Sequence, residues 1–223
     1  MAKIEVISFD LDGTLVDDRF VNSVWFEGIP RLYSAKKGLS FGDATKAVKR
    51  EYDKVGKEKL EWYDLRHWMK KFGLNVDPQE LLGNFKHTIN TYPEVPRILD
   101  VLKRRGYRLI IVTNAYWEFV RLELKRTNME NYFEKVFSST SDFGLVKKTA
   151  NLYEKVCNSI GILPPEMVHV GDDWNFDFHV PRRLGILAFY LDRAGKHEGE
   201  FVIHSLEELD GKLEALGVSA RAQ

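Results

Sequence analysis

Two acidic residues separated by one residue, Asp10 and Asp12, follow a short apolar run rich in β-branched residues and precede Gly13. The run, residues 4–9, predicts a buried strand. Side chains two positions apart on a strand point to the same face, so a strand continuing through Asp12 would carry both carboxylates on one side of its carboxyl end. Such a pair is repulsive unless a cation or a shared proton intervenes. The pattern is compatible with a cation site, but taken alone it is more often an exposed turn.

Three later stretches carry polar residues at predicted strand ends or helix starts: Val112–Asn114, Phe143–Lys148 and Val170–Asp177. Together with Asp10–Thr14, they resemble in type and order the four motifs of the haloacid dehalogenase-like (HAD) superfamily. The second and third motifs carry little weight singly, whereas all four in this order are highly specific. The resemblance covers residues 1–15 and about 93–205, and it does not extend in detail to the segment between them.

The resemblance implies transfer of a phosphoryl group to a carboxylate. Asp10 would be the nucleophile that forms an aspartyl-phosphate, and Asp12 would protonate the leaving group and then activate water. HAD dehalogenases attack carbon and lack an acid at the second position, so Asp12 favours phosphoryl transfer. The residues implied to bind the phosphate are Leu11, Asp12, Thr113 through its hydroxyl, Asn114 through its backbone N–H, and Lys147.

Mg²⁺ is the cofactor that the resemblance implies, because two carboxylates facing a phosphate need positive charge. Its protein ligands would be the carboxylate of Asp10, the backbone carbonyl of Asp12 and the carboxylate of Asp172. Asp177 would support these ligands from behind. Asp173 is open to two interpretations, a metal role or a loop acid that caps the following helix.

Lys147 would neutralise charge on the transferring group and keep Asp10 ionised. The family usually has Lys-Pro at this point, whereas this chain has Lys147-Lys148, so the register is uncertain by one residue. Gly144 stands at the usual distance before Lys147 and favours it. Either lysine taken alone would be interpreted as a solvated side chain at a helix start.

The sequence thus predicts a Mg²⁺-dependent phosphatase, a phosphoric monoester hydrolase that acts on a small phosphorylated metabolite. Three other functions stay open. A phosphomutase of the same superfamily would return the phosphoryl group to its product. A 2-haloacid dehalogenase-like hydrolase is disfavoured by Asp12. A non-catalytic binding protein on the same scaffold is disfavoured because a binding role needs no nucleophile such as Asp10.

Strands alternating with helices from residue 93 onward predict an α/β fold with a doubly wound, mostly parallel, Rossmann-like sheet. Residues 16–92 instead repeat apolar side chains at helical spacing, with helix-start signals at Ser40 and at Asp77-Pro78. They predict four helices, similar to the cap that one class of HAD enzymes inserts after the first strand. The predicted domains are a core, 1–15 with 93–223, and a helical cap, 16–92. The chain from Gly217 onward is expected to be a frayed tail.

The composition excludes several partners. With 33 basic and 33 acidic residues the net charge is zero, which gives no electrostatic footprint for nucleic acid or an anionic membrane. No apolar run reaches the length of a membrane span. The single Cys157 cannot form an internal disulfide, fits a reducing environment and so predicts a cytoplasmic protein.

Substrate choice is expected to lie with the cap, which carries no motif. Several cap residues have groups that could face a substrate: Trp25, Arg31, Trp62, Arg66, His67 and Trp68. Aromatic residues at helical spacing are more often part of a core, so the sequence selects none of them. The six histidines show no metal-ligand spacing, and His169 is expected in the core or behind the site because it alternates within a predicted strand.

Overall fold

A computed structural model describes residues 3–146 and 149–220. Its strands, β1 to β8 in chain order, are Lys3–Ile4, Val6–Phe9, Arg108–Thr113, Lys135–Ser138, Met167–Gly171, Leu187–Leu191, Val202–Ile203 and Ser219–Ala220. Six of them form a parallel sheet in the order β4-β3-β2-β5-β6-β7, and β1 pairs separately with β8. The chain leaves β2 toward one edge and returns to its other side at β5. The carboxyl ends of β2 and β5 therefore flank the switch point where open α/β sheets bind ligands.

The helices of the described residues, α1 to α11, are Arg19–Ser23, Ile29–Lys37, Phe41–Val55, Leu65–Phe72, Pro78–Phe85, Val95–Arg104, Trp117–Thr127, Ser139–Phe143, Ala150–Ile160, Val180–Arg182 and Glu207–Ala215. Short 3₁₀ turns occupy Leu60–Trp62, Lys86–Thr88, Glu130–Tyr132 and Pro164–Glu166. Two segments have the wider π geometry: Val24–Gly28 and Trp174–His179. The prediction of an α/β, doubly wound fold is confirmed.

The sheet is apolar on both faces because helices cover both of them. Alternate residues of β3 show this: Leu109 and Ile111 enter the core on one face, whereas Ile110 and Val112 enter the core on the other. Cys157 of α9 is buried in the second of these cores, and it forms no disulfide.

Residues 19–88, called the helical segment below, contain α1 to α5 and no strand. The predicted start signals act as N-caps: the hydroxyl of Ser40 accepts the N–H of Asp43, and the carboxylate of Asp77 accepts the N–H of Gln79. These helices enclose a core around the fully buried Trp68, and Phe119 of α7 also packs into it.

The two connections to the helical segment lie side by side. Val16 forms an isolated bridge with Thr91, and the N–H of Asp17 donates to the carbonyl of Asn90 at 3.0 Å. The chain thus enters and leaves the helical segment as a short paired ribbon. That ribbon begins directly after the carboxyl end of β2, where the acidic residues stand.

The expectation of a frayed tail from Gly217 onward is wrong for the part that is described. Ser219 and Ala220 pair in parallel with Lys3 and Ile4. A two-residue strand is too short to give an alternating pattern. Its pairing comes from the neighbouring edge, which sequence periodicity cannot show.

Candidate active site

Three carboxylates converge where β2 and β5 end. Asp10 follows β2, Asp172 follows β5, and one oxygen from each of these residues and from Asp177 lies within 4.8 Å of the other two. The parallel register aligns Phe9 with Val170, and the N–H of Asp10 donates to the carbonyl of Val170 at 2.9 Å. Residues far apart in sequence therefore meet because two neighbouring parallel strands end together.

Two glycines make room for these acids. Gly13 has a left-handed φ of 78°, and a Cβ there would lie 2.6 Å from the carboxyl carbon of Asp172. A Cβ on Gly171 would lie 2.6 Å from the Cβ of Asp177. Both distances are far inside van der Waals contact, so each carboxylate occupies space that a side chain at the glycine would need.

Asp177 is held from behind by a buried network. Its Oδ2 accepts the N–H of Asp173 at 3.0 Å, and its Oδ1 lies 3.2 Å from Nε2 of His169. His169 also contacts the hydroxyls of Ser8 at 2.9 Å and Tyr153 at 3.1 Å. The histidine is fully buried in the position expected from its strand alternation, and it fixes the direction of the Asp177 carboxylate.

Asp173 is a helix cap. Its Oδ1 accepts the N–H groups of Asn175 and Phe176, both at 2.9 Å, which starts the π turn Trp174–His179. Its Oδ2 accepts a hydrogen bond of 2.6 Å from Nζ of Lys57 in the helical segment. Of the two interpretations left open by the sequence, the structure thus shows the capping contact, and the three converging acids do not include Asp173.

The residues predicted to bind phosphate stand at the ends of β2 and β3. Thr113 and Asn114 are buried and line the same cavity as Asp10 and Asp12. The Asn114 amide accepts from the Ser139 hydroxyl at 2.7 Å and donates to the Tyr63 hydroxyl at 3.3 Å. The side chain of Leu11 lies in the core, so any phosphate contact of Leu11 uses its backbone.

The third predicted motif lies at the edge of the described chain. Helix α8 ends at Gly144, which has a left-handed φ of 62°, and Val146 is buried. Lys147 and Lys148 fall outside the described residues. The choice between the two lysines stays a prediction.

Sequence reasoning missed a buried acid, Glu123 of α7. Its side chain is fully buried beside Asp12, and neither of its oxygens accepts a bond from an N–H or O–H group of the described residues. Burial, and then the neighbouring Asp12 carboxylate, hold the pKa of Glu123 well above its ordinary value. The protonated carboxyl can donate to Asp12. The sequence signal that could have found Glu123 is its position among the apolar residues Val120 and Leu124, on the face of α7 that is buried.

The acids open into one cavity of about 310 Å³ between the sheet and the helical segment. Its polar lining comprises Asp10, Asp12, Asn22, Thr113, Asn114, Asp172, Asp173 and Asp177. Much of the remaining lining is aromatic. Both π segments contribute to it, Phe26 from the first and Phe176 from the second, and such turns are frequent at functional sites.

Only two of the cap residues named from the sequence line this cavity, Trp25 and Trp62. Trp68 is in the core of the helical segment, and the ring of His67 packs against it at 5.1 Å. The two arginines face acids elsewhere: Arg31 pairs with Glu27 at 2.9 Å, and Arg66 pairs with Glu118 at 3.2 Å. The aromatic lining that the sequence did not single out is Phe26, Tyr52, Tyr63, Tyr116, Phe119 and Phe176.

A family model for haloacid dehalogenase-like hydrolases matches residues 4–185, most of the chain. The chain belongs to the haloacid dehalogenase-like hydrolases. Among its relatives, the GMP/IMP nucleotidase YrfG of Escherichia coli is 26% identical over 176 residues, 76% of this chain and 74% of that protein. The phosphoglycolate phosphatase of Aquifex aeolicus is 26% identical over 190 residues, 82% of each chain.

A solved structure of a HAD phosphatase from Thermococcus onnurineus superposes with a TM-score of 0.85 and 26% identity, covering 98% of this chain and 100% of that one. The predicted superfamily is therefore confirmed, and the phosphatase and nucleotidase relatives agree with the predicted class of phosphoric monoester hydrolases. Among the residues that the structure describes, no helix combines the length and apolar character needed to cross a bilayer.

Proposed function

We propose that this hydrolase is a Mg²⁺-dependent phosphatase that cleaves a small phosphorylated metabolite through an aspartyl-phosphate on Asp10. The observation that carries the proposal is the convergence of Asp10, Asp172 and Asp177 within 4.8 Å, in a cavity that Asp12 and Thr113 also line. Three acids at this distance repel one another in the absence of positive charge. A cation and a phosphate dianion together would turn that repulsion into a binding site.

The donor set fits Mg²⁺, which prefers hard oxygen ligands. The carboxylates of Asp10 and Asp172 and the backbone carbonyl of Asp12 would hold the ion, and Asp177 would keep them in place. When bound, the ion would offset the charge on the phosphate oxygens and so favour attack by an anionic carboxylate.

The chain's own residues then account for both chemical steps. The Asp10 carboxylate attacks phosphorus, the ester P–O bond breaks, and Asp12 protonates the departing oxygen. Asp12 next takes a proton from water, which attacks phosphorus and releases phosphate from Asp10. The Thr113 hydroxyl and the Asn114 backbone N–H would orient the transferring group, with Lys147 as the predicted cation beside it.

The helical segment would act as a cap domain, with residues 16–92 inserted into a core formed by 1–15 and 93–223. The paired connections at Val16 and Thr91 support this division. Side chains bridge the two parts: Lys57 donates to Asp173 at 2.6 Å, and Arg66 pairs with Glu118 at 3.2 Å. The paired ribbon at Val16 would be the hinge between them. Closure would exclude water during the first step, and opening would admit it for the second.

The relatives suggest two kinds of substrate. By its name, the Escherichia coli relative acts on the nucleotides GMP and IMP. The Aquifex aeolicus relative acts on phosphoglycolate, a small phosphorylated acid. Both agree with a small phosphorylated metabolite as the partner. A cytosolic location, proposed from the single unpaired Cys157, agrees with such a substrate.

The test is phosphate release by wild type and Asp10→Asn, with Asp53→Asn on the exposed face of α3 as the matched control. Asparagine is nearly isosteric but cannot attack phosphorus, so Asp10→Asn should abolish turnover while the circular dichroism spectrum and melting temperature stay near wild type. Asp53→Asn should keep full activity. More than a few per cent of wild-type kcat in Asp10→Asn, after deamidation is excluded, would remove Asp10 from the nucleophile role.

A further inference from the structure

Of the eighteen residues of the described chain that line the active-site cavity, eight are aromatic. The helical segment contributes Trp25, Phe26, Tyr52, Trp62 and Tyr63, and the sheet side contributes Tyr116, Phe119 and Phe176. A phosphate needs only the polar lining around Asp10. The aromatic lining therefore faces the group to which the phosphate is attached.

Several of these rings are open to the cavity. Phe26 is 41% exposed, and Trp25, Trp62, Tyr63 and Tyr116 are half-buried. Rings that served only as core would be covered, as Trp68 is. The exposed ring surface is therefore available to a ligand.

The rings also form a fixed platform. Trp25 stacks on Phe119 with centroids 5.5 Å apart and planes 15° from parallel, and Tyr52 meets Trp25 edge-on at 6.0 Å. Phe119 belongs to α7 and Trp25 to the helical segment, so the stack spans the two parts of the chain. A rigid aromatic platform binds a planar ring with little loss of side-chain entropy.

Charge complements the shape. No lysine, arginine or histidine of the described residues lines the cavity. Two cations of the helical segment already have acidic partners, since Lys57 donates to Asp173 at 2.6 Å and Arg66 pairs with Glu118. A substrate with a carboxylate beyond its phosphate would bury that charge beside aromatic rings without a partner, which is costly. The uncharged polar groups of the described lining include the Asn22 amide and the Tyr116 hydroxyl. The Tyr63 hydroxyl also lies there, and it donates to the carbonyl of Lys57 at 3.1 Å.

Resting on the proposed phosphatase activity, we infer that the substrate is a nucleoside 5′-monophosphate. Its base is planar, uncharged and polar at the edge, which matches the aromatic platform and the amide and hydroxyl groups around it. The ribose would separate the base from the phosphate at Asp10. In the reaction Asp10 attacks phosphorus as the P–O5′ bond breaks, and O5′ gains a proton from Asp12. Water then loses a proton to Asp12 and attacks phosphorus as the bond to Asp10 breaks, so the products are a nucleoside and inorganic phosphate.

The experiment compares guanosine and adenosine 5′-monophosphates with ribose 5-phosphate and 2-phosphoglycolate, with phosphate release as the readout. Ribose 5-phosphate keeps the sugar and phosphate and lacks only the base. Stacking of one base on an aromatic side chain corresponds to a gain of about 5- to 150-fold in affinity. We expect kcat/KM for the nucleotides to exceed kcat/KM for ribose 5-phosphate by about 5-fold or more. We expect 2-phosphoglycolate to be the poorest substrate.

A variant pair assigns the preference to the platform. Phe26→Ala removes an exposed cavity ring. It should reduce the ratio of kcat/KM for the nucleotide to kcat/KM for ribose 5-phosphate about 5-fold or more. Phe41→Ala removes a similarly exposed phenylalanine of α3 that does not line the cavity, and it should leave the ratio unchanged. If Phe26→Ala lowers kcat/KM equally for all substrates, the effect is a general packing defect and the assignment is overturned.

Binding separates this inference from the phosphatase proposal. Asp10→Asn should still bind guanosine 5′-monophosphate in calorimetry and quench the fluorescence of Trp25 and Trp62, whereas ribose 5-phosphate should bind more weakly and quench little. If no substrate is turned over but the nucleotide binds in this way, the phosphatase proposal fails and the aromatic site stands. If ribose 5-phosphate or 2-phosphoglycolate is hydrolysed as well as the nucleotides, the phosphatase stands and the nucleotide inference is overturned.

Discussion

The guanidinium carbon of Arg193 lies 3.4 Å from the centre of the Tyr92 ring. From this stacked position the same side chain donates to the carbonyl of Thr14 at 2.8 Å and to Glu94 at 2.7 Å. One arginine of the core therefore contacts both connections to the helical segment, the outgoing one at Thr14 and the returning one at Tyr92 and Glu94.

Replacing Arg193 should loosen both connections at once. Lysine keeps the charge but cannot stack and donate in several directions, so Arg193→Lys should destabilise nearly as much as Arg193→Ala. We expect a loss of about 2–4 kcal/mol in the free energy of unfolding, from hydrogen bonds of a charged group that is largely buried. Urea denaturation measures it. Arg97→Ala, in an exposed pair with Glu207, should cost less than about 1 kcal/mol. Equal losses at both sites would contradict a special role for Arg193.

Metal removal should stop turnover. Chelation by EDTA is expected to abolish activity and Mg²⁺ to restore it, whereas Ca²⁺ should bind and support little turnover because its looser coordination misplaces the nucleophile. Asp172→Asn should weaken Mg²⁺ binding measured by titration calorimetry. Asp173→Asn should leave the affinity close to wild type, because asparagine caps a helix as well as aspartate does and Asp173 is not one of the converging acids. Full activity in chelator would rule out the metal proposal.

The buried Glu123 is expected to hold Asp12 in position. Glu123→Gln keeps a donor of the same shape, so kcat should stay within about threefold of wild type. Glu123→Leu removes the donor and should lower kcat about 10- to 100-fold, the factor of one strong hydrogen bond, with KM nearly unchanged. Steady-state kinetics on one substrate decides between them, and thermal melts check folding. If the glutamine and leucine variants lose equal kcat, a hydrogen bond from position 123 to Asp12 does not determine kcat.

Acid stability should depend on Asp192, at the end of β6. Burial raises the pKa of its carboxyl, but a hydrogen bond from the His197 ring and the N–H groups of His197, Lys196 and Ala194 outweigh burial and lower the pKa to about 2, against an ordinary 3.8. A depressed folded-state pKa stabilises the fold above the unfolded value, and that stabilisation is lost as pH falls through the folded value. Asp192→Asn should therefore be less stable than wild type at pH 7, and the difference should shrink at pH 3. Urea denaturation at both pH values measures this. A difference that does not change with pH would contradict the assignment.

The sequence was sufficient to predict the sheet and to indicate where its acids meet. Asp10 and Asp172 each follow an apolar strand, and parallel strands bring their carboxyl ends to one edge, so local pattern plus topology predicts the meeting point. Helix capping at Ser40 and Asp77 was also predictable, because each cap depends only on neighbours within three residues.

What the sequence could not predict depends on contacts between distant segments. The partner of Asp173 is Lys57, 116 positions away, and Glu123 is notable only because α7 packs it beside Asp12. Tyr63 follows a 3₁₀ turn that has no helical period, and Phe26 lies in a π turn. No single-segment pattern assigns these two rings to the cavity rather than to a core or to solvent.

The pairing of Lys3 with Ser219 and of Ile4 with Ala220 brings the two ends of the described chain into one small sheet. A short linker could therefore join these ends. Opening the chain at one of the two connections of the ribbon, near Asp17 or near Asn90, would then give a circular permutant. In that permutant the helical segment would be a terminal domain with a single covalent connection. Its docking on the sheet would then be held by one covalent connection and by non-covalent contacts, so the strength of that docking could be measured.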